Sequence, residues 1–410
     1  MKKVAIIGAG AAGVMCGIHA ATNNTQVMLF DKNIMALKKL LATGNGRCNY
    51  WNSDQDLCHY HSSEESLLPS IITPKIQKEV IDFFDSLGVV PNIRNGYYYP
   101  YSNQASSIRD LLEVASRKKG VMFSLGSEVV DIYRDGEKFV VVSGDTKEYF
   151  DDLVIATGSL ASFKKSSEGE SGYLFAEKFG LDVSIVHPAL VALKTSGDFL
   201  KSWAGVRATC VVSLYQDGKF VRKEEGEIQL TDYGVSGICI FNLSRYASLE
   251  YRYSKMELKI SFLPFLKDKS KEYITSWFSK RGEQLRDYSM VSFLEGLLPY
   301  KLLMVILSRA HISKSATWSS LTEEEKERLL TYILEFPLVI TGCRDFSYAQ
   351  VCAGGVKLSS VNSSLEAKKI PHLYFVGEVL DVDGDCGGYN LGFAWMSGMI
   401  VGKSIRGDGE

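Results

Sequence analysis

The stretch Val4-Ala5-Ile6-Ile7-Gly8-Ala9-Gly10-Ala11-Ala12-Gly13 decides the reading of this chain. Val4 to Ile7 is a short apolar run, the texture of a buried parallel strand. Gly8 permits a tight turn out of that strand. Gly10 lets the backbone approach a pyrophosphate, and Gly13 lets the following helix pack close. The spacing predicts a helix over about 11–21, whose free N–H groups and positive dipole end would face phosphate. A second strand, Gln26 to Phe30, ends at Asp31, 18 residues after Gly13. A carboxylate there can accept hydrogen bonds from a ribose. Glycine turns alone are common; strand, helix and acid at these distances together point to a dinucleotide. Lys2-Lys3 before an apolar stretch has the outline of a secretory leader, but three glycines break it and no clean cleavage site follows.

A second signature lies near the other end: Tyr374-Phe375-Val376-Gly377-Glu378, then Gly387-Gly388-Tyr389-Asn390-Leu391. The two together specify FAD, a ligand long enough to need a nucleotide fold and a distant segment for its flavin end. Glu378 follows Gly377 at a strand end, where a carboxylate can take a sugar-chain hydroxyl. Gly388 opens the last helix, whose bare N–H groups suit a flavin's pyrimidine edge, where negative charge develops on reduction.

Two further segments join these. Leu37 to Asn49 contains Thr43-Gly44-Asn45-Gly46-Arg47-Cys48, in which Gly44 and Gly46 allow close backbone approach. Lys39 and Arg47 offer positive charge to a pyrophosphate. Asp152 to Ile155 reads as a buried strand running into Ala156-Thr157-Gly158, a turn placed to meet ligand at a strand's carboxyl end.

The chain has 410 residues, 46% of them hydrophobic, and a net charge of −2. That balance does not recruit nucleic acid or an anionic membrane by bulk electrostatics. The apolar run Leu302 to Leu307 is far too short to span a bilayer. Eight cysteines are scattered with no CxxC metal knuckle, so no metal site is expected. They read as reduced thiols in a cytoplasmic protein.

Along the chain, helices are expected at Ile76 to Leu87 and Ser107 to Lys118, and strand, turn and strand over Gly126 to Val142. From Ala192 the texture becomes antiparallel: Val206 to Tyr215, Lys219 to Arg222, Ile228 to Leu230 and Glu257 to Phe262. Residues 269–334 read as helical, with Thr322 and Glu325 forming a capping box. Thr341 to Leu358 returns to strand-like sequence, and a helix over about Leu391 to Ser404 ends the chain. The order fits an α/β nucleotide domain interrupted by an insert, with both chain ends in one core.

The residues resemble the BaiN/RdsA-like NAD(P)/FAD-dependent oxidoreductases over nearly the whole chain. The carrying segments are the fingerprint, Lys39 to Asn49, Ala156-Thr157-Gly158, Thr231 to Gly237, and Gly377 to Gly384 through Asn390-Leu391. The resemblance implies a Rossmann-like FAD-binding domain (1–190 and 341–410), a β-barrel insert (191–265 and 316–340) and a small helical domain (266–315). It implies FAD contacts at Gly8, Gly10, Gly13, Asp31, Lys32, Arg47, Cys48, Ala156, Thr157, Gly158, Glu378, Asn390 and Leu391, with Val129 as a backbone contact to adenine. Ala12, Lys39, Gly44, Gly46, Gly377 and Gly388 complete the candidate cofactor set. This chain departs from the family at Ser159, where a second glycine is usual, and at Gly392-Phe393, where Gln plus an aromatic is commoner.

The expected function is that of a flavin oxidoreductase acting on a small organic or steroid-like substrate, a reductase of conjugated double bonds using NADH or NADPH. Alternatives are a flavin amine oxidase using O2 and a non-enzymatic redox sensor. No second GxGxxG is present, so a nicotinamide would bind transiently. A disulfide reductase needs a cysteine pair near the flavin, and Cys48 lacks a partner at the usual spacing. An RNA-modifying enzyme is disfavoured by the charge balance. Tyr97, Tyr98 and Tyr99 are aromatic enough to line a substrate pocket, although edge-strand packing is the preferred reading; Tyr389 is the candidate proton donor or pocket wall.

Overall fold

The computed structural model describes residues 1–163 and 168–407. They divide into two compact units, Met1–His187 with Val351–Glu410, and Pro188–Gln350.

The first unit is built on a five-stranded parallel sheet. Its order is Leu373–Phe375, Asp152–Ile155, Lys2–Ile7, Thr25–Asp31 and Met122–Leu125. Val4, Ala5 and Ile6 are fully buried, as a central parallel strand requires. The strand from the far end of the chain adds to the edge beside Asp152–Ile155, so both termini share one core. Helix Ala11–Ala20 follows the first strand and helix Tyr389–Arg406 ends the unit. These two helices press together through glycine: a Cβ on Gly398 would stand 2.4 Å from the Ala12 carbonyl oxygen, and one on Gly402 2.6 Å from that of Cys16.

The expected helices are present as Pro74–Ser86, with the Thr73 hydroxyl accepting from the Ile76 N–H, and Ala105–Lys118. The strand pair is Val129–Asp135 with Lys138–Ser143. A third strand, Thr146–Phe150, extends it.

The second unit contains a closed six-stranded barrel: Leu193–Thr195, Gly234–Gly237, Lys219–Leu230, Arg207–Gln216, Met256–Ser261 and Phe336–Cys343. One expectation is corrected here. Lys219 to Arg222 and Ile228 to Leu230 are not two strands but one, because Lys223, Glu224 and Glu225 continue the ladder opposite Ser213, Val212 and Val211. Gly226 was read as a break, but it stays in the ladder opposite Cys210, and the half-exposed strand carries charge with Arg222 paired to Glu224 at 2.6 Å. Helix Ile238–Ala247 was not anticipated, although Cys239, Ile240, Leu243, Ser244 and Ala247 are buried at helical spacing. Helices Lys271–Gln284, Met290–Glu295, Tyr300–Arg309 and Glu323–Leu334 make up the helical part. The Thr322–Glu325 capping box forms in both directions. The expected α/β class with a Rossmann-like sheet, a barrel and helices is what the structure shows.

Candidate functional site

The carboxyl ends of the parallel strands gather the glycine motifs at one edge of the sheet. Gly8–Gly13 follows Lys2–Ile7, Asp31 ends the second strand, Ala156–Gly158 follows Asp152–Ile155, and Gly377–Glu378 follows Leu373–Phe375. In open α/β sheets ligands bind at such a crevice.

The three fingerprint glycines have different neighbours. Gly8 has φ +113°, and a Cβ there would stand 2.2 Å from the Ala156 carbonyl oxygen. A Cβ on Gly13 would stand 2.0 Å from the Gly8 carbonyl oxygen. A Cβ on Gly10 would meet nothing within 4 Å. Two glycines therefore hold the turn together and the third faces open space. Gly10 caps the helix with no side-chain hydrogen bond, and the first turn carries no acid. The N–H groups of that turn lack intrahelical acceptors and suit an anion.

The Asp31 carboxylate braces this turn. One oxygen accepts from the Ala9 N–H at 2.9 Å, the other from the backbone and side-chain N–H of Asn33 at 2.8 and 2.9 Å. A carboxylate has about four acceptor positions, so about one is left for a ribose hydroxyl. Sequence reasoning assigned Asp31 to the ligand and missed this second duty. Gly126 and Ser127 donate backbone bonds to the Asn33 and Asp31 carbonyls, which brings the segment leading to Val129 to the same place.

Around the other turns, Ala12 packs under Gly377, where a Cβ would stand 2.8 Å from the alanine methyl. Ser159 is fully buried and its hydroxyl donates to Glu378 at 3.0 Å. The glycine usual there is not needed: Gly158 alone takes positive φ, at +77°, and the serine ties the turn to the acid. Lys39 donates to the Ala161 carbonyl at 2.9 Å, and Lys32 and Lys39 each lie 4.8 Å from the Phe163 ring centroid. Lys32 also bonds the Glu168 carbonyl. The Leu37–Asn49 loop is fastened to the fingerprint by the Leu37 N–H, which donates to the Ala9 carbonyl at 2.8 Å. Within it Arg47 lies over the Tyr99 ring at 5.3 Å, while Gly44 and Gly46 take positive φ. Cys48 is buried, and burial pushes its thiol up to about 12, the Thr43 hydroxyl offsetting part of the shift. Such a thiol is protonated at neutral pH and is a poor nucleophile.

The C-terminal loop is packed from all sides. A Cβ on Gly388 would stand 2.7 Å from the Trp51 carbonyl oxygen, and one on Gly387 2.7 Å from the Tyr97 ring. Asn390 clasps its own loop: its amide oxygen accepts from the Gly384 N–H and its amide nitrogen donates to the Gly384 carbonyl, both at 2.8 Å. Tyr97, Tyr98 and Tyr99 thus brace loops: Tyr98 lies edge-on to Tyr50, with ring centroids 6.0 Å apart. Leu391 is half-buried in the first turn of the helix. Gly392 leaves room that Gln55 and Tyr60 fill, at 3.1 and 3.3 Å from a Cβ there. Tyr389 is buried, stacked on His59, and burial followed by the nearby Asp54 raises its phenol above the ordinary tyrosine range. A phenol that holds its proton is a donor only to a strong base. Sequence reasoning missed His59, His61 and Asp385 beside it; the alternation His59-Tyr60-His61 was the available signal.

The residues fit FAD on two observations: the space before Gly10, and two buried polar atoms without a partner, Thr157 Oγ1 and Asn49 Oδ1. Such atoms cost about 1–3 kcal/mol each when unsatisfied, which a polar ligand relieves. Among the described residues no set of three or more His, Cys, Asp or Glu is placed to hold a metal ion. None of the described helices is long and apolar enough to cross a membrane.

Comparison with known proteins agrees with this geometry. The model of the HI0933-like protein Rossmann domain matches residues 2–404. The 3-dehydro-bile acid delta(4,6)-reductase of Clostridium scindens is 34% identical over 98% of this chain and 99% of its own. The ribosomal RNA dihydrouridine synthase of Escherichia coli is 28% identical over 98% and 97%. The solved structure of 3-ketosteroid delta1-dehydrogenase from Sterolibacterium denitrificans matches all of both chains with a TM-score of 0.53 at 9% identity, a likeness of fold. The chain belongs to the HI0933-like Rossmann family and is a flavin-dependent oxidoreductase.

Proposed function

We propose that this protein reduces a conjugated double bond in a small, steroid-like substrate, using FAD and taking its electrons from NADH or NADPH. The observation that carries the reading is the end-to-end match at 34% identity to a bile-acid delta(4,6)-reductase. The carboxyl edge of the sheet supports the cofactor: Gly10 and the first turn of its helix would hold the pyrophosphate, and Asp31 the ribose. Ala156 to Gly158, Glu378 and the start of the last helix would hold the flavin end. When bound, FAD supplies hydride transfer. The protein's part is to place the substrate, exclude water and provide a proton.

A small molecule is the favoured substrate over RNA. The net charge of −2 gives no bulk attraction to phosphate. The test is anaerobic mixing of the purified yellow protein with NADH and with NADPH, followed by a 3-oxo-Δ4,6 steroid acid. Bleaching by a nicotinamide, then recovery of colour with loss of the dienone absorbance, is expected. Persistent colour with both nicotinamides refutes the donor. Bleaching without recovery on the steroid, but with dihydrouridine formed in ribosomal RNA, refutes the substrate.

A further inference from the structure

Four side chains from two segments join end to end beside the start of the C-terminal helix. Asp54 Oδ2 lies 3.3 Å from His59 Nε2, and His59 Nδ1 lies 3.1 Å from Asp385 Oδ2. Asp385 Oδ1 lies 3.1 Å from His61 Nε2. Side-chain exposure falls from 64% at Asp54 to 25% at His59, then 4% at Asp385 and 8% at His61. The row therefore leads from water to the interior.

The backbone holds it in place. The Asp385 N–H donates to the His59 carbonyl at 2.9 Å, and Asp383–Gly384 pairs antiparallel with Tyr60–His61. Tyr389, first residue of the helix, stacks on His59 with ring centroids 4.4 Å apart. A carboxylate that merely anchors a loop needs one partner. Here each oxygen of Asp385 serves a different imidazole, and the outer imidazole is held again by an exposed acid. Imidazole is the side chain whose charge changes near neutral pH, and two of them bridged by a buried carboxylate can pass a proton along.

We propose that Asp54, His59, Asp385 and His61 form a proton relay that supplies the proton accompanying hydride addition. The proposal rests on the reductase reading above. Saturating a C=C bond adds a hydride, with both electrons, to one carbon. The π pair moves to the conjugated partner atom, which takes one proton. NADH or NADPH is oxidised through the flavin and the double bond is reduced. In the relay, Asp54 takes a proton from water and gives it to His59 Nε2, and the His59 Nδ1 proton passes to Asp385 Oδ2. The Asp385 carboxyl group turns to bring that proton to His61 Nε2 and passes it on, while His61 Nδ1 releases its own proton inward. One proton enters, one leaves, and every group returns to its starting charge. Asp56, Cys58, Cys386 and Tyr389 are titratable groups facing the row, Asp383 is paired opposite His61, and Tyr60 and Tyr97 lie beside Tyr389.

The test uses the FAD-loaded protein and its His59→Gln, His61→Gln and Asp385→Asn variants. Flavin reduction by NAD(P)H should stay within about twofold in His59→Gln. The steroid-dependent reoxidation should slow at least ~100-fold, the scale of general acid catalysis, with a changed pH profile and solvent isotope effect. With only six histidines in the chain, ring-labelled NMR resolves His59 and His61. The ring signals of both His59 and His61 should shift in Asp385→Asn, and that of His61 should shift in His59→Gln. A His61 ring signal unmoved by His59→Gln, or unaltered reoxidation in His59→Gln, overturns the relay. If the parent protein does not turn over the steroid, the reductase reading fails, and the NMR coupling alone decides the relay. Should Asp385→Asn fail to fold, the His61 signal in His59→Gln and the His59 signal in His61→Gln together give the NMR test.

Discussion

The two glycine-rich turns look alike in sequence and differ in what surrounds them. At the N-terminal turn, Gly8 and Gly13 are pressed against backbone while Gly10 faces open space. At the C-terminal turn, Gly387 and Gly388 are both pressed against neighbours, and Asn390 is spent on its own loop. A glycine that is open on the protein side is kept for a ligand's sake. A glycine that is closed in is kept for the fold's sake.

This contrast can be broken by substitution. The largest effect is expected for Gly13→Ala, whose methyl would stand 2.0 Å from a carbonyl oxygen. Neither backbone can move without losing the turn, so the stability loss should reach about 3 kcal/mol or more, with FAD lost. A denaturation midpoint and flavin content like the parent's would refute the packing argument. Asn390→Ala should come next, costing about 2–3 kcal/mol by removing two loop hydrogen bonds. Its signature is a drop in melting temperature of the FAD-free protein, where a residue that only touched flavin would show no change.

Asp31→Ala should weaken FAD retention by about 1.5–3 kcal/mol, the scale of hydrogen bonds to a charged group. Because the carboxylate also holds the Ala9 N–H, the FAD-free protein should lose stability too. Loss of affinity with no loss of stability would return Asp31 to a pure ligand contact.

The helices behind the two turns offer a pH test. Burial, outweighing the hydrogen bond to the Met15 carbonyl, and the charges of Lys403, Arg406 and Lys119 push His19 down to about 4. Above its ordinary value of 6.5 both folded and unfolded chains carry it neutral. As pH falls through 6.5 the unfolded chain takes up a proton first, so stability is lost between about 6.5 and 4, by about 1–3 kcal/mol. His19→Gln should flatten that part of a melting-temperature profile; an unchanged slope would assign it to other groups.

The smallest effect on stability is expected for Gly10→Ala, within about 0.5 kcal/mol, since its methyl meets no protein atom. FAD affinity should nevertheless fall, measured by flavin release. Destabilisation of the FAD-free protein would show that this glycine, too, serves the fold.

Much of the fold was legible because its signals are local. Val4 to Ile7 is an apolar run bounded by glycine, and Thr322 with Glu325 forms a cap within one turn of helix. The strand Lys219–Leu230 was misread because Gly226 reads as a break unless a partner strand lies alongside, which a single segment does not reveal. The candidate cofactor residues were legible through spacing. The duties of individual side chains were not: Asn390 holds Gly384, and Ser159 holds Glu378, 219 residues away.

The sequence by itself determined the nucleotide-binding class, because a glycine turn between strand and helix is a property of about thirty consecutive residues. It also determined that a distant segment returns to the same sheet. Only the tertiary structure decided which glycine is open, which acid is already occupied, and that His59 and His61 meet Asp385. Those are matters of what stands next to a group across hundreds of residues, and burial and hydrogen bonding are settled by neighbours in space.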